Sequence, residues 1–411
     1  MNYLELLRTY PRYISYGALH YYFSGPGQTF FISLFVPYFL VAAQISQVEF
    51  DSIYALGTLA SAFTLPWLGS LLDRLKLQHF SLVLGLVYAG VAVLASFVWH
   101  PWFLLGVVFG LRLCGQGLMP LTGATATARY FEAVRGKALS LVSFGVSIAE
   151  ITLPLLIVAA IAAFTWQTTW WLVAGTILLV FVPAILVLVP SKDEFHFNQE
   201  GKKAAQGLGG GKSRKEVMRD PYFYGIVLVM MFMPFFTTGI VINKNLLTEA
   251  YGWSEAHLAW GLTLFGIARL LVNVLAGPLI DRYSARRVFS YQLIPLGLSC
   301  LLLALFPSAT MVLVFFTLAG MSSSFNSITS TALWAEIYGT LHFGAIRSLA
   351  STIMVFSTAL APVILGYGME VPDRIPVTLL ICAGICLGLL ILGLWLTRQV
   401  KPFKSEGLRD R

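Results

Sequence analysis

Runs of about twenty apolar residues, separated by short polar interruptions, recur along nearly the whole chain. About 20 such residues in helical form cross the hydrocarbon of a bilayer. A helix also satisfies its own backbone where no water can do so. The runs fall near residues 14–42, 51–72, 79–98, 102–126, 137–160 and 168–189, and then 222–248, 256–280, 286–306, 309–335, 346–368 and 375–397. Charged residues make up 11% of the chain and hydrophobic ones 57%, where soluble domains carry roughly 25% charged residues. The expected fold class is therefore an all-α integral membrane protein with twelve transmembrane helices and the lipid bilayer as its surroundings.

Orientation follows from the basic residues. With the N-terminus in the cytoplasm, all but four of the 27 lysines and arginines face that side; Lys244 and Arg374 lie outside, and Arg112 and Arg269 lie within spans. The positive-inside rule then places both termini in the cytoplasm, and a bacterial inner membrane is the expected location. This bias accounts for the net charge of +8, so the basic balance does not point to nucleic acid. No basic run interleaved with aromatics lies outside the spans. The opening "MNYLELLRTYPRY" has no short apolar core followed by a small-residue cleavage site, and reads as cytosolic sequence leading into the first helix. Cys114, Cys300, Cys382 and Cys386 all fall inside runs and read as small packing residues.

Between the sixth and seventh runs the chain turns polar, charged and Gly-rich, which reads as a flexible linker. The expected organisation is a six-helix bundle over 1–190, a cytoplasmic linker over 191–221 and a second six-helix bundle over 222–411. Internal similarity supports the division. "GSLLDR" at 69–74 returns as "GPLIDR" at 277–282, a shift of 208, and the same shift carries Tyr130 onto Tyr338 and Pro154 onto Pro362.

The duplicated element, with twelve spans and a long central loop, resembles the Major Facilitator Superfamily over essentially the whole chain. The stretch 128–156, "ARYFEAVRGKALSLVSFGVSIAEITLPLL", is further similar to prokaryotic organic-anion and monocarboxylate-type members. The resemblance implies two pseudo-symmetric bundles, acting as a monomer, that expose a midplane site to either side in turn. The repeated loop carries Asp73 with Arg74 and Asp281 with Arg282. Charge pairs and helix-end contacts among these would form a gate at the cytoplasmic rim; the plainer reading is a tight turn with topology-setting charge.

Two arginines lie deep. Arg269 stands 12 residues before Asp281, about 18 Å along a helix, and Arg112 stands 11 residues after Pro101. Arginine cannot shed its charge, and a central charge costs about 2.5 to 3.5 kcal/mol on insertion scales. Two guanidiniums facing one cavity would bind carboxylate or phosphate oxygens; an internal ion pair or a water-facing placement are the alternatives. The resemblance implies an anion ligand on the eighth helix, where Arg269 sits. In monocarboxylate-type members that helix carries an aspartate and, one turn on, an arginine; here those places read Arg269 and Asn273. Glu150 is the deep carboxylate, read as a proton-coupling site, a partner of an arginine or a substrate contact. In the first run, "SGPGQTFF" breaks the helix beside His20 and offers Gln28 as a polar contact. His20 is read as a proton relay or an interfacial cap. Asn326, in the tenth run, is a further candidate substrate contact, as is Asn273.

No nucleotide-binding, metalloprotease or nucleophile-elbow motif is present, so neither a catalytic centre nor a metal or cofactor is expected. The sequence reads as a secondary transporter of a small or medium organic anion, coupled to protons. The rival reading is a proton-driven efflux pump for amphipathic compounds, favoured by the 14% aromatic content.

Overall fold

The computed structural model describes residues 3–73, 75–131, 135–188, 211–339, 343–400 and 402. Among them eleven helices are long and apolar enough to cross a membrane, and a bent pair, Pro11–Ile32 and Val36–Ala43, makes a twelfth span with a 65° bend. The other spans are Gln47–Leu72, Leu77–Ala95, Pro101–Tyr130, Lys137–Ala163, Trp166–Leu188, Pro221–Ile242, Glu255–Asn273, Ala285–Leu305, Ala309–Tyr338, Leu349–Met369 and Pro372–Gln399. The fold is an all-α membrane fold, as the apolar runs require. The sequence repeat has structural counterparts: Tyr130 and Tyr338 each end a long helix, and Pro154 and Pro362 each lie inside one.

Local chemistry explains where spans begin. Ser46 caps the second span through a box in which its hydroxyl accepts from the Glu49 N–H while Glu49 accepts from the Ser46 N–H at 2.7 Å. Thr165, Ser254 and Ser308 accept the N–H of the residue three places on, at 3.1, 3.3 and 3.3 Å, and His100 accepts from Trp102 at 3.3 Å. Five even-numbered spans thus start on side-chain acceptors for helix donors that would otherwise be orphaned.

The chain packs as two compact units: Met1–Phe197 with Val241–Thr248 and Ser254–Thr263, and Asn198–Ile240 with Glu249–Trp253 and Leu264–Arg411. The two short stretches of the first unit fall, by sequence, in the second half. Their side chains explain the membership. Asn245 donates to Gln47 at 2.8 Å, and the Thr263 hydroxyl donates to the Ile151 carbonyl at 3.1 Å. The seventh span is correspondingly shorter than the run 222–248 suggests. It ends at Ile242, and Lys244–Tyr251 forms a separate short helix. Lys244 is fully buried and holds Glu255 at 3.1 Å. Burial pushes its pKa down, and the Glu255 charge pulls it back up.

Close backbone approach sets the packing of the first unit, where the first span lies against the fourth and fifth. A Cβ at Gly145 would lie 2.2 Å from the Ala18 carbonyl oxygen, so the crossing of the first and fifth spans admits no side chain there. Gly90 is exposed, with no atom within 4 Å of where its Cβ would stand. Gly145→Ala is expected to destabilise the protein by about 1 to 3 kcal/mol and Gly90→Ala to leave it unchanged or slightly firmer. Melting curves in detergent check the contrast.

Candidate functional site

In the first unit the first span comes apart at Ser24–Gln28. The helix Pro11–Phe23 gives way to a tight turn at Gly25–Gly27, and helix resumes at Thr29. Opposite this break the fourth span widens into a π segment, Arg112–Leu118, a local departure of the kind that marks functional sites. The two irregularities meet backbone to backbone: a Cβ at Gly27 would lie 2.1 Å from the Leu111 carbonyl oxygen and 2.6 Å from the Gly115 Cα. Only glycine fits at this contact.

Arg112 closes the arrangement. Its side chain is 1% exposed. Nη1 donates to the Gly27 carbonyl at 3.3 Å and the Thr29 hydroxyl at 3.4 Å, and Nε donates to the Thr58 hydroxyl at 3.2 Å. The guanidinium lies over the Tyr54 ring at 5.0 Å, and the Tyr54 hydroxyl bonds Thr29 at 2.9 Å. All four partners are uncharged. A deep, permanent charge is thus held by oxygens and a ring face, and it ties the broken span to its neighbours. Thr58 and Tyr54, one turn apart on the second span, did not stand out in the sequence because isolated Thr and Tyr are common in apolar helices.

The remaining candidates of this unit lie nearby. Gln28 follows Gly27 directly, and its Nε2 donates to Ser24 at 3.3 Å. Glu150 is buried, and its neighbour Ala149 packs on Gly25 together with Leu153. His20 is fully buried in a closed polar ring. Nδ1 donates to the Tyr16 carbonyl at 2.8 Å, Nε2 meets the Ser81 hydroxyl at 3.0 Å, and that hydroxyl meets the Tyr16 hydroxyl at 2.5 Å. A carbonyl can only accept, so Nδ1 carries the proton. The ring joins the first span to the third.

In the second unit Arg269 is half-buried within the eighth span. One turn on, Asn273 accepts from the Ser324 hydroxyl of the tenth span at 2.7 Å. Asn326, two residues further along the tenth span, donates through Nδ2 to the Met230 carbonyl at 3.1 Å. That carbonyl lies four residues before Pro234, which has no N–H to return to it. Asn326 replaces the missing helix donor.

The rim candidates are seen in part. The Asp73 and Asp281 side chains and Arg74 lie outside the described residues. Arg282 is exposed and stands over the Tyr283 ring at 5.3 Å. Glu336 accepts from the Arg286 backbone N–H at 3.2 Å, and Arg129 donates to the Leu72 carbonyl at 3.1 Å.

The Asn326 contact yields a double-mutant cycle. Asn326→Ala is expected to cost about 1 to 3 kcal/mol by orphaning a buried carbonyl. In a Pro234→Ala background, where the helix supplies its own N–H, the same change is expected to cost clearly less. Melting of the four proteins in detergent measures the coupling.

With the geometry in hand, comparison with known proteins places the chain. The family model described as Major Facilitator Superfamily matches residues 21–244 and 229–409. The crystal structure of the nucleoside transporter NupG is similar with a TM-score of 0.73 at 14% identity, covering 96% of this chain and 99% of that one. A bacterial homolog of the human lysosomal transporter Spinster, inward-facing and unoccupied, gives 0.70 at 14% identity, covering 94% and 96%. The Multidrug resistance protein B homolog of Mycobacterium tuberculosis (strain CDC 1551 / Oshkosh) is 23% identical over 130 residues, 32% of this chain and 24% of that protein. The chain thus spans about a quarter of that relative's length. A family model matched across both halves, a repeat at one offset and an all-helical membrane fold agree: the chain belongs to the Major Facilitator Superfamily.

Proposed function

We propose that this transporter moves a small or medium organic anion by alternating access, coupled to protons, across a bacterial inner membrane with both termini in the cytoplasm. The observation that carries the reading is Arg269: a guanidinium that keeps its charge at any working pH, set about 18 Å from Asp281 along the Glu255–Tyr283 helix that contains the eighth span and only half-buried. A carboxylate gives such a group two parallel hydrogen bonds and removes its electrostatic cost. Asn273 and Asn326 supply amides on the same unit. In this reading Arg112, occupied by Gly27, Thr29 and Thr58, holds the broken first span so that Gln28 keeps its place. Glu150 carries the coupled proton, with His20 as the candidate relay. Asp73, Arg74, Asp281 and Arg282 serve as the inner gate.

A second reading, proton-driven efflux of amphipathic compounds, is favoured by the partial similarity to the mycobacterial multidrug resistance homolog. A thermal-shift screen separates the two. Organic acids, phosphates and cationic drugs are offered at pH 5.5 and 7.5 to the purified protein and to Arg269→Gln. A ligand at a hundred times its Kd adds about 2.7 kcal/mol to the apparent stability. Anion transport predicts that a carboxylate raises the Tm of the wild type by several degrees and leaves Arg269→Gln unmoved. Equal shifts of both proteins by cationic or neutral amphipaths alone would favour efflux.

A further inference from the structure

One carboxylate of the first unit has no part in the functions assigned so far. Asp51, one turn into the second span, is 0% exposed. Its Oδ1 accepts from Gln47 Nε2 at 2.9 Å, and Gln47 Oε1 accepts in turn from Asn245 Nδ2 at 2.8 Å. The Asn243 side chain also hydrogen-bonds the carboxylate. Among the described residues, no donor reaches Asp51 Oδ2 or Asn245 Oδ1, although both atoms are buried. The network is short of hydrogen-bond donors.

Charges nearby do not fill the deficit. On the same helix Glu49 is exposed and occupied in the Ser46 cap. On the overlying Lys244–Tyr251 helix, Lys244 is bonded to Glu255, which opens the eighth span, and Glu249 is exposed. On the fourth span, His100 caps its own helix, and Arg112 is engaged by Gly27, Thr29 and Thr58. An ionised carboxylate sealed from water with an undonated oxygen is the costly form of burial. A proton on Oδ2 removes the charge and turns that oxygen into a donor.

We propose that Asp51 is a proton-binding site, protonated while Val241–Thr248 is seated over it and able to release its proton when that stretch lifts away. The stretch that buries the acid supplies Asn243 and Asn245, so seating it and protonating Asp51 are one linked equilibrium. This deepens the proton coupling of the proposed function by naming a second acid for it. The test reads the acid itself and involves no substrate, so the anion assignment can fail without touching it.

The experiment uses the full chain in detergent. A proton held by the folded protein and lost on unfolding makes stability fall as pH rises. The wild-type Tm is expected to drop by a few degrees between pH 6 and pH 8.5, and Asp51→Asn, the neutral isostere of the protonated acid, to lose most of that slope. In parallel, infrared spectra of protein carrying isotope-labelled aspartate should show the carbonyl band of a protonated acid at pH 7, absent from Asp51→Asn. An unchanged pH slope in Asp51→Asn, or no protonated-aspartate band in the wild type, overturns the proposal. So does failure of Asp51→Asn to fold, because a neutral amide should replace a neutral acid.

Discussion

A guanidinium cannot give up its charge inside a membrane, and the first unit is arranged around that fact at Arg112. The side chain is sealed from solvent and satisfied by the Gly27 carbonyl, two threonine hydroxyls and a tyrosine face. Reaching Gly27 requires the first span to be broken there, and the break fits only because Gly27 and Gly115 let two backbones touch. The π segment, the Gly-Pro-Gly turn and the Tyr54–Thr29 bond are the parts of one contact. Its consequence is a broken first span, with Gln28 beside the break donating to Ser24.

The same rule, that polar groups in a water-free layer must find partners inside the protein, is met elsewhere by single side chains. Asn326 stands in for the N–H that Pro234 lacks. His20, Tyr16 and Ser81 satisfy one another in a ring. Glu336 takes the Arg286 N–H at the start of the ninth span. Such contacts fix helix register without large apolar surfaces.

Much of this was legible in the sequence, because a bilayer imposes the length of its spans and the landmarks of the 208-residue repeat recur on the helices. Pro154 and Pro362 fall inside helices, and Tyr130 and Tyr338 end them. What the sequence did not disclose are the pairings between distant residues. The run 222–248 looks like one span, yet Asn243 and Lys244 turn out of it because Asp51 and Glu255 receive them. Asn326 reads as a free amide until Met230, 96 residues away, is seen to lack a donor. Thr58 and Tyr54 carry no motif, and only the position of Arg112 shows what they hold. Asp51 escaped notice for a related reason: the apolar run begins at it, and a carboxylate at a run's edge reads as solvated.

The central claim is that this transporter carries an organic anion together with protons through a site built on Arg269. The direct measurement is proton flux in reconstituted liposomes holding a trapped pH dye, with carboxylic acids of graded size added outside. The account predicts dye acidification by at least one acid beyond the leak of empty liposomes, abolished in Arg269→Gln while that protein still folds. Acid-driven flux that is equal in both proteins, or flux driven only by cationic or neutral amphipaths, would contradict it.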